Sequence, residues 1–426
     1  MRIFCSGIGG IGLSAYASHM HLLGHEIFGS DTTDSPLVQH LRESGMHIVL
    51  TQDGSGIPRD IDLFVYSEAI PEHAPERMEA RRRDVRSISY FQALGELTAG
   101  KFLIAVCGTH GKSSTTAMAA RMAIEAGLDP NVVIGTKLSF LNNRNWRRGA
   151  GDLWIVEACE YRRSFLHLKP KIILLTNADG DHFDAFKDAA EYQDAFVEFL
   201  SSLPEDGIVI AHGTDEISQK ICDRARRTIL NADLESLPEV GVLGLHMQQN
   251  AQLVVALGKQ LNLPEEKVLK ALKHYSGAWR RMETRGVTTS GVTVIDDYAQ
   301  HPVEIKATLA AMRLAYPNRR IVAVFQPHMH DRTLKLWNEF STSFSDADAV
   351  VILSVYDARP DTEHRKVDEG AFVEHIRKIS GKPTSHGGTL EDAEKLLRES
   401  ILKPKDVVVI MGAGDSTALA GALLAC

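Results

Sequence analysis

Residues 102–126 restrict the fold more than any other segment. Phe102–Cys107 is an apolar run of strand length that passes into Gly108-Thr109-His110-Gly111-Lys112-Ser113-Ser114, and Thr115–Ala126 then has helical composition. A strand, a glycine-bearing loop and a helix form half of a β-α-β unit, whose next strand must lie parallel to the first. The same succession recurs from end to end, each short apolar strand closing on a glycine-rich or acidic turn. The predicted class is α/β with parallel sheets.

Three blocks separate. The first holds strands at Arg2–Ser6, Glu26–Gly29, His47–Leu50 and Leu63–Tyr66. The second holds Phe102–Cys107, Leu153–Val156, Lys171–Leu175 and Ile208–Ala211, and the third Thr293–Ile295, Arg320–Phe325, Ala349–Ser354 and Asp406–Met411. Polar and glycine residues place the seams near Leu97–Lys101 and Thr284–Gly291. A length of 426 residues accommodates that many cores.

Charge narrows the function classes. Acids outnumber bases 55 to 47, a net charge of -8, so no basic excess exists to hold a nucleic-acid backbone. The clusters Arg81–Arg83 and Arg224, Arg226, Arg227 are interleaved with acids and read as solvated helix faces. Five scattered cysteines without a C-x-x-C pair favour reduced thiols over a zinc site or disulfide framework. No apolar run approaches the roughly 20 residues of a membrane span, and MRIFCSGIGGIG reads as a strand entering glycines rather than a signal peptide. The expected setting is cytoplasmic.

Two glycine loops are candidate phosphate sites. Gly7-Ile8-Gly9-Gly10-Ile11-Gly12 satisfies G-x-G-x-x-G between a strand and a helix, and Asp31 ends the next strand, where an acid would hold a ribose. The bland alternative is a tight turn with no ligand. The loop at Gly108–Ser114 is a P-loop variant, with Val106 where the common pattern has glycine. Its amides would wrap phosphate oxygens, Lys112 would reach the β/γ-phosphates and Ser113 would ligate magnesium. Glu157 ends the strand Leu153–Val156 and suits that cation, with His182 in Asp179–Asp184 as a second ligand or merely a turn residue.

The third block offers Asp296-Asp297-Tyr298-Ala299-Gln300-His301-Pro302 and Phe325-Gln326-Pro327-His328-Met329-His330-Asp331-Arg332 at strand ends, where open α/β sheets bind ligands. The plainer readings are a helix cap for the paired aspartates and a surface loop for H-M-H. Arg280 and Arg281, in W-R-R-M-E, could reach a phosphate or be a solvated pair.

Taken together, G-I-G-G-I-G, G-T-H-G-K-S-S-T-T, V-E-A-C-E-Y, T-N-A-D-G-D-H-F-D, W-R-R-M-E, D-D-Y-A-Q-H-P, F-Q-P-H-M-H-D-R-T and M-G-A-G-D resemble the Mur ligase family over nearly the whole chain. The resemblance implies three domains: 1–98, Rossmann-like, for a UDP sugar; 99–285, a central P-loop ATPase; and 286–426, Rossmann-like, for an amino acid. It implies a cytoplasmic monomer or homodimer that uses ATP and Mg2+ (or Mn2+) to join L-alanine to the lactyl carboxylate of UDP-N-acetylmuramate.

By the same resemblance, Gly7, Gly9, Gly10, Gly12, Asp31 and Ser67 bind the UDP sugar. Gly108, Thr109, His110, Gly111, Lys112, Ser113 and Ser114 hold ATP phosphates, with Asn250 at the adenine, Asp297 at the ribose and Arg281 at the γ-phosphate. Ser113, Glu157 and His182 serve the metal ions. Lys112, Glu157, His182 and Arg281 are the catalytic set, and Tyr298, His301, His328 and Arg332 line the amino acid. Met247, Gln300, Met329 and Tyr90 depart from the family pattern, where Tyr90 replaces a frequent arginine. The rivals are a murein-tripeptide-adding ligase of the same family, an NAD-dependent oxidoreductase built on Gly7–Gly12, and a catalytically silent nucleotide-binding subunit. The oxidoreductase leaves the second glycine loop unexplained.

Overall fold

The computed structural model describes residues 1–180, 185–357 and 366–425. Among these residues the strands form three sheets of five, seven and six strands. The first contains β1 (Arg2–Ser6), β2 (Glu26–Ser30), β3 (His47–Val49), β4 (Leu63–Tyr66) and β5 (Ser87–Ser89). Its order is β3-β2-β1-β4-β5, parallel throughout. Neighbours of β1 are thus reached in opposite directions, which opens a crevice at its C-terminal end.

The second sheet holds β6 (Phe102–Cys107), β7 (Asn131–Leu138), β8 (Arg144–Arg147), β9 (Leu153–Glu157), β10 (Ile172–Leu175), β11 (Ile208–Ala211) and β12 (Ile229–Asn231). The order is β12-β11-β10-β6-β9-β7-β8, with only β8 antiparallel to its neighbour. Here β6 sits at the reversal, between β9 and β10, so the loop leaving it meets both strand ends.

The third sheet comprises β13 (Glu283–Val287), β14 (Thr293–Asp297), β15 (Ile321–Phe325), β16 (Ala349–Leu353), β17 (Thr384–Gly388) and β18 (Val407–Met411), in the order β13-β14-β18-β15-β16-β17. Apolar runs such as Val407-Val408-Val409-Ile410-Met411 arise because both faces are covered. Val407, Val409 and Met411 join one buried cluster with Phe325, Phe340 and Phe372, while Val408 and Ile410 join another with Val324 and Leu419.

The twelve strands expected from apolar runs are present to within a residue or so at each end. The other six are edge or polar strands: β5 and β12 have three residues, β7 and β8 form an antiparallel edge, and β13 and β17 carry Glu-Thr-Arg-Gly-Val and Thr-Ser-His-Gly-Gly. β13 pairs with β14, so the expected seam at Thr284–Gly291 lies within the third sheet. Arg81 and Arg82 are solvated as expected, whereas Arg83 turns inward to the carbonyls of Ile57 and Pro58. The chain divides into two compact units. One comprises 1–178, 193–234 and 256–264 and carries the first two sheets; the other comprises 179–192, 235–255 and 265–426 and carries the third. No helix among the described residues is long and apolar enough to cross a membrane.

In the first unit, Phe165 is fully buried, stacked on Phe199 at 4.4 Å between centroids and edge-on to Phe196 at 5.3 Å. Phe165→Ala removes a ring from a site that cannot collapse around the loss. The expected cost is about 3–5 kcal/mol, read as an earlier urea midpoint by intrinsic fluorescence. A loss below about 1 kcal/mol would mean that this aromatic cluster does not anchor the unit.

Candidate active site

The loop after β6 is shaped by the neighbouring strand end. Gly111, at φ 80°, lets the helix Lys112–Ala126 begin three residues earlier than expected, so Lys112 and Ser113 lie in its first turn. Gly108 has φ 141°, and a Cβ there would lie 2.0 Å from Thr176 Oγ1. Only glycine allows that approach. Thr176 Oγ1 donates to the His110 carbonyl at 2.6 Å, and the Asn177 side chain both donates to that carbonyl (3.1 Å) and accepts from the His110 N–H (2.9 Å). Thr109 N–H donates to the Asn177 carbonyl at 3.1 Å.

Lys112 is mostly buried. Its ammonium donates to the carbonyls of Gly108 and Thr109 and, at 3.1 Å, to Glu160 Oε1, whose side chain is fully buried. Burial works against the charge, but Glu160, Cys159 and Glu157 outweigh it and raise Lys112 above the ordinary lysine range. Ser113 Oγ donates to Glu157 Oε1 at 3.0 Å, while Glu157 Oε2 accepts the Gly135 N–H at 2.7 Å. Ser114 is buried beside them. Cys107 is an inert thiol, pushed up by burial.

A second loop leaves β1. Gly7 has φ 79°, and the N–H groups of Gly7 and Ile8 both reach the Ser30 carbonyl at 2.9 Å. Gly9 N–H donates to Asp31 Oδ2 at 2.8 Å, and a Cβ on Gly9 would meet that oxygen at 2.7 Å. Asp31 thus holds the loop as well as standing beside it. Gly10 precedes the helix Ile11–Leu22 and places no side-chain cap on it, an arrangement that leaves a helix N-terminus open to anionic oxygens. Ser67 stands across from Gly7, bonded through its N–H to the Ser6 carbonyl. Behind the loop, buried Glu76 accepts from Ser6 and Ser30, and burial raises its pKa.

In the other unit, the ends of β14, β15 and β18 meet. Asp296 is fully buried, 3.5 Å from Arg280 Nε, 3.2 Å from Arg285 Nη1 and bonded to Thr417. Arg280 also donates to the carbonyls of Gly412 and Gly414 and to Ser416. Asp297 accepts the N–H groups of Met282 (2.6 Å) and Ala299 (2.7 Å). The reading of the paired aspartates as a helix cap is therefore corrected: both are interior, and His301 with Glu304 caps the helix Pro302–Ala315. Arg280 is likewise buried rather than solvated.

Arg281 stacks over Tyr298, its guanidinium 4.9 Å from the ring centroid. Arg332 donates to Gln300 Oε1 at 3.0 Å and lies 3.1 Å from His328 Nδ1, and His328 stacks on Tyr356. The expected surface loop at 328–330 is instead largely interior, with Met329 at φ 69° and His330 Nδ1 accepting the Val367 N–H. Asn250 lies partly exposed on the helix Leu245–Gln260, with Met247 buried on the same helix. His182 lies outside the described residues. Sequence reasoning missed Glu160, Glu76, Arg280 and Asp296 as organising groups. Glu160 follows the apolar strand β9 and Asp296 lies in the apolar strand β14, whereas Glu76, in the helix Pro75–Arg82, and Arg280, ahead of the polar strand β13, carry no such sequence signal.

Asp297 makes a pH test available. Burial raises its carboxyl from 3.8 to about 6, partly offset by Arg281 and the two N–H donors, with Glu304 adding to the rise. The folded chain then binds this proton more tightly than the unfolded one. Its contribution is full below pH 3.8 and fades as pH climbs through about 6, a span of roughly 3 kcal/mol. The stability difference between the wild type and Asp297→Asn should therefore shift against the wild type between about pH 4 and pH 7. A pH-independent difference in melting temperature would show that Asp297 is ionised throughout.

Comparison with known proteins follows this layout. The description "Mur ligase family, catalytic domain" matches residues 3–102, "Mur ligase middle domain" 106–237, and "Mur ligase, glutamate ligase domain" 280–414. The chain is 34% identical over 442 residues to the UDP-N-acetylmuramate–L-alanine ligase of Clostridium novyi, covering 97% of this chain and 95% of that one. It is 35% identical over 445 residues to that of Salinibacter ruber, covering 97% and 92%. Among solved structures, the UDP-N-acetylmuramate–alanine ligase MurC of Thermotoga maritima superposes with a TM-score of 0.81 at 26% identity, over 99% of this chain and 98% of that one. A murein peptide ligase from Psychrobacter arcticus shares the fold, with a TM-score of 0.75 at 22% identity over 100% and 98%.

Proposed function

The chain belongs to the Mur ligase family, and on that premise we propose that it is an ATP-dependent carbon–nitrogen ligase joining L-alanine to the lactyl carboxylate of UDP-N-acetylmuramate in peptidoglycan precursor synthesis. The observation that carries this reading is likeness along 97% of the chain to ligases of that name. The reading takes the protein as cytoplasmic, a monomer or homodimer, with the regions 1–98, 99–285 and 286–426 serving the UDP sugar, ATP and the amino acid.

The chemistry needs no protein nucleophile. A carboxylate acylates poorly, so its oxygen first takes the γ-phosphoryl group of ATP, giving an acyl phosphate and ADP. The neutral amine of alanine then attacks the carbonyl carbon and forms the C–N bond; the tetrahedral intermediate collapses by breaking its C–O bond to expel phosphate, and the nitrogen gives up a proton, leaving the amide. Lys112 and the amides at the start of the helix Lys112–Ala126 stabilise charge on the transferred group, while those of Thr109 and His110 are held by Asn177. Arg281 is assigned to the γ-phosphate, Asp297 to the ribose and Asn250 to the adenine. Tyr298, His301, His328 and Arg332 are assigned to the amino acid, and Gly7, Gly9, Gly10, Gly12, Asp31 and Ser67 to the UDP sugar.

The Ser113–Glu157 pair fits a magnesium ion by chemistry and spacing. Two hard oxygen donors stand 3.0 Å apart, and adjacent ligands of an octahedral cation with bonds near 2.1 Å are separated by about that much. When bound, Mg2+ or Mn2+ neutralises the charge that develops on the phosphate oxygens. His182 is retained as a further ligand from family resemblance.

The reaction is tested by coupled phosphate release with ATP, Mg2+, UDP-N-acetylmuramate and L-alanine omitted in turn. Full turnover is expected only with all four, because binding of each substrate helps assemble the catalytic geometry. Turnover with a murein tripeptide but not with alanine would move the assignment to the peptide-adding ligases, and turnover indifferent to the UDP sugar would end the ligase reading. Lys112→Ala leaves the fully buried Glu160 without its cation and should lower stability, so turnover is compared per folded molecule and should fall on the order of 10²-fold or more. Near-normal rates in that variant would show that another group meets the phosphate.

A further inference from the structure

The helix Ile11–Leu22, which continues the first glycine loop, lies against the hairpin β7–β8 of the second sheet. Asn145, buried in β8, donates through Nδ2 to the Ile11 carbonyl in the first turn of that helix. His19, also buried, meets Trp146 edge-on at 5.1 Å between centroids, and its Nε2 lies 3.2 Å from the Arg147 carbonyl. Arg148 donates to the Leu22 carbonyl at the far end. Residues 145–148 thus follow the helix from its first turn to its last residue.

The other strand of the hairpin reaches the second loop. Val133 pairs with Trp146 and Leu138 with Arg144, so residues 134–137 of β7 bulge opposite Asn145. A bulge re-aims the groups it contains. Here the Gly135 N–H meets Glu157 Oε2 at 2.7 Å, and a Cβ on Gly135 would lie 2.9 Å from Glu157 Oε1. Just before the bulge, Val133 pairs with Val156 and ties β7 to β9 one position ahead of Glu157. One position on β8 therefore holds the helix turn beside the first glycine loop, and the bulge facing it holds the acid bonded to Ser113. The two sheets are joined elsewhere too. In the helix Tyr90–Leu97, a Cβ on Gly95 would lie 2.4 Å from the His167 carbonyl oxygen, in the turn after β9. Loss of the Asn145 contact thus frees the hairpin without parting the sheets.

The ligase reading, on which this inference rests, asks one substrate to span both loops, with its diphosphate at the first and its carboxylate at the phosphoryl group held by the second. We propose that Asn145 is a positioning residue for that step, fixing through the β7–β8 bulge the spacing between the first glycine loop and the Ser113–Glu157 pair. Misplacing reacting groups by about 1 Å can cost on the order of 10²-fold in rate, while each end of the substrate still binds its own site. The test compares Asn145→Ala and Asn145→Asp, which keeps the volume but not the donor, with Arg148→Ala, which loosens the same contact away from the bulge. Titration calorimetry with UDP-N-acetylmuramate and, separately, with Mg-ADP should give affinities within about twofold of the wild type for all three. By phosphate release, kcat should fall about 10- to 100-fold in both Asn145 variants and stay within about twofold in Arg148→Ala. Weaker sugar-nucleotide binding with kcat kept would overturn the proposal by making Asn145 a direct ligand, and loss of binding of both probes by making it a prop of the fold. A kcat near the wild type in the Asn145 variants, or an equal fall in Arg148→Ala, would deny the bulge its part in the spacing. A wild type that binds both probes yet releases no phosphate with ATP and alanine would instead remove the ligase reading beneath the proposal.

Discussion

The central site depends on the clasp that β10 places on the loop after β6. Thr176 and Asn177 satisfy both the carbonyl and the N–H of His110, and the Thr109 N–H reaches back to Asn177. Without that clasp a glycine-rich segment would sample many conformations, and the cost of ordering it would fall on the ligand. With it, the loop is shaped before a phosphate arrives. β6 lies at the reversal of strand order, so one neighbour supplies the clasp and the other supplies Glu157.

The opposing charges around Lys112 follow the same logic. An ammonium this deep needs a counter-charge, and Glu160 provides it from a side chain with no exposure. Replacing Glu160 by an apolar group would leave Lys112 partly buried without its nearest acid, a costly state. The carbonyls of Gly108 and Thr109 complete the cradle, which holds the cation on the loop that must present it.

Strand-to-loop units were legible because apolar runs ending in glycine have few other solutions, as at Arg2–Gly12 and Phe102–Ser114. The edge strands were not: β13 and β17 draw stability from pairing on one side, and their polar residues carry no period of two. Lys112, Ser113 and Glu157 could be named from spacing alone, whereas Glu160 could not be singled out as the partner of Lys112. That pairing spans 48 residues and exists only because β9 returns beside β6. Arg280 and Asp296 were hidden for the same reason. Their surroundings come from residues 412–417, and an adjacent pair of arginines or aspartates looks solvated until the last strand is in place.

That arrangement has a consequence for how the chain is made. In the third sheet β18, the last strand in sequence, lies in the middle between β14 and β15. As the polypeptide leaves the ribosome, β14 and β15 emerge with a gap between them and no ladder to close it. Asp296 and the guanidinium of Arg280 must wait in water until residues 407–417 arrive more than a hundred positions later. Contacts of such separation form slowly, and until they form the third sheet offers two unpaired strand edges. A chain broken off shortly before Val407 would keep nearly all its residues and still lack the strand that joins the two halves of that sheet.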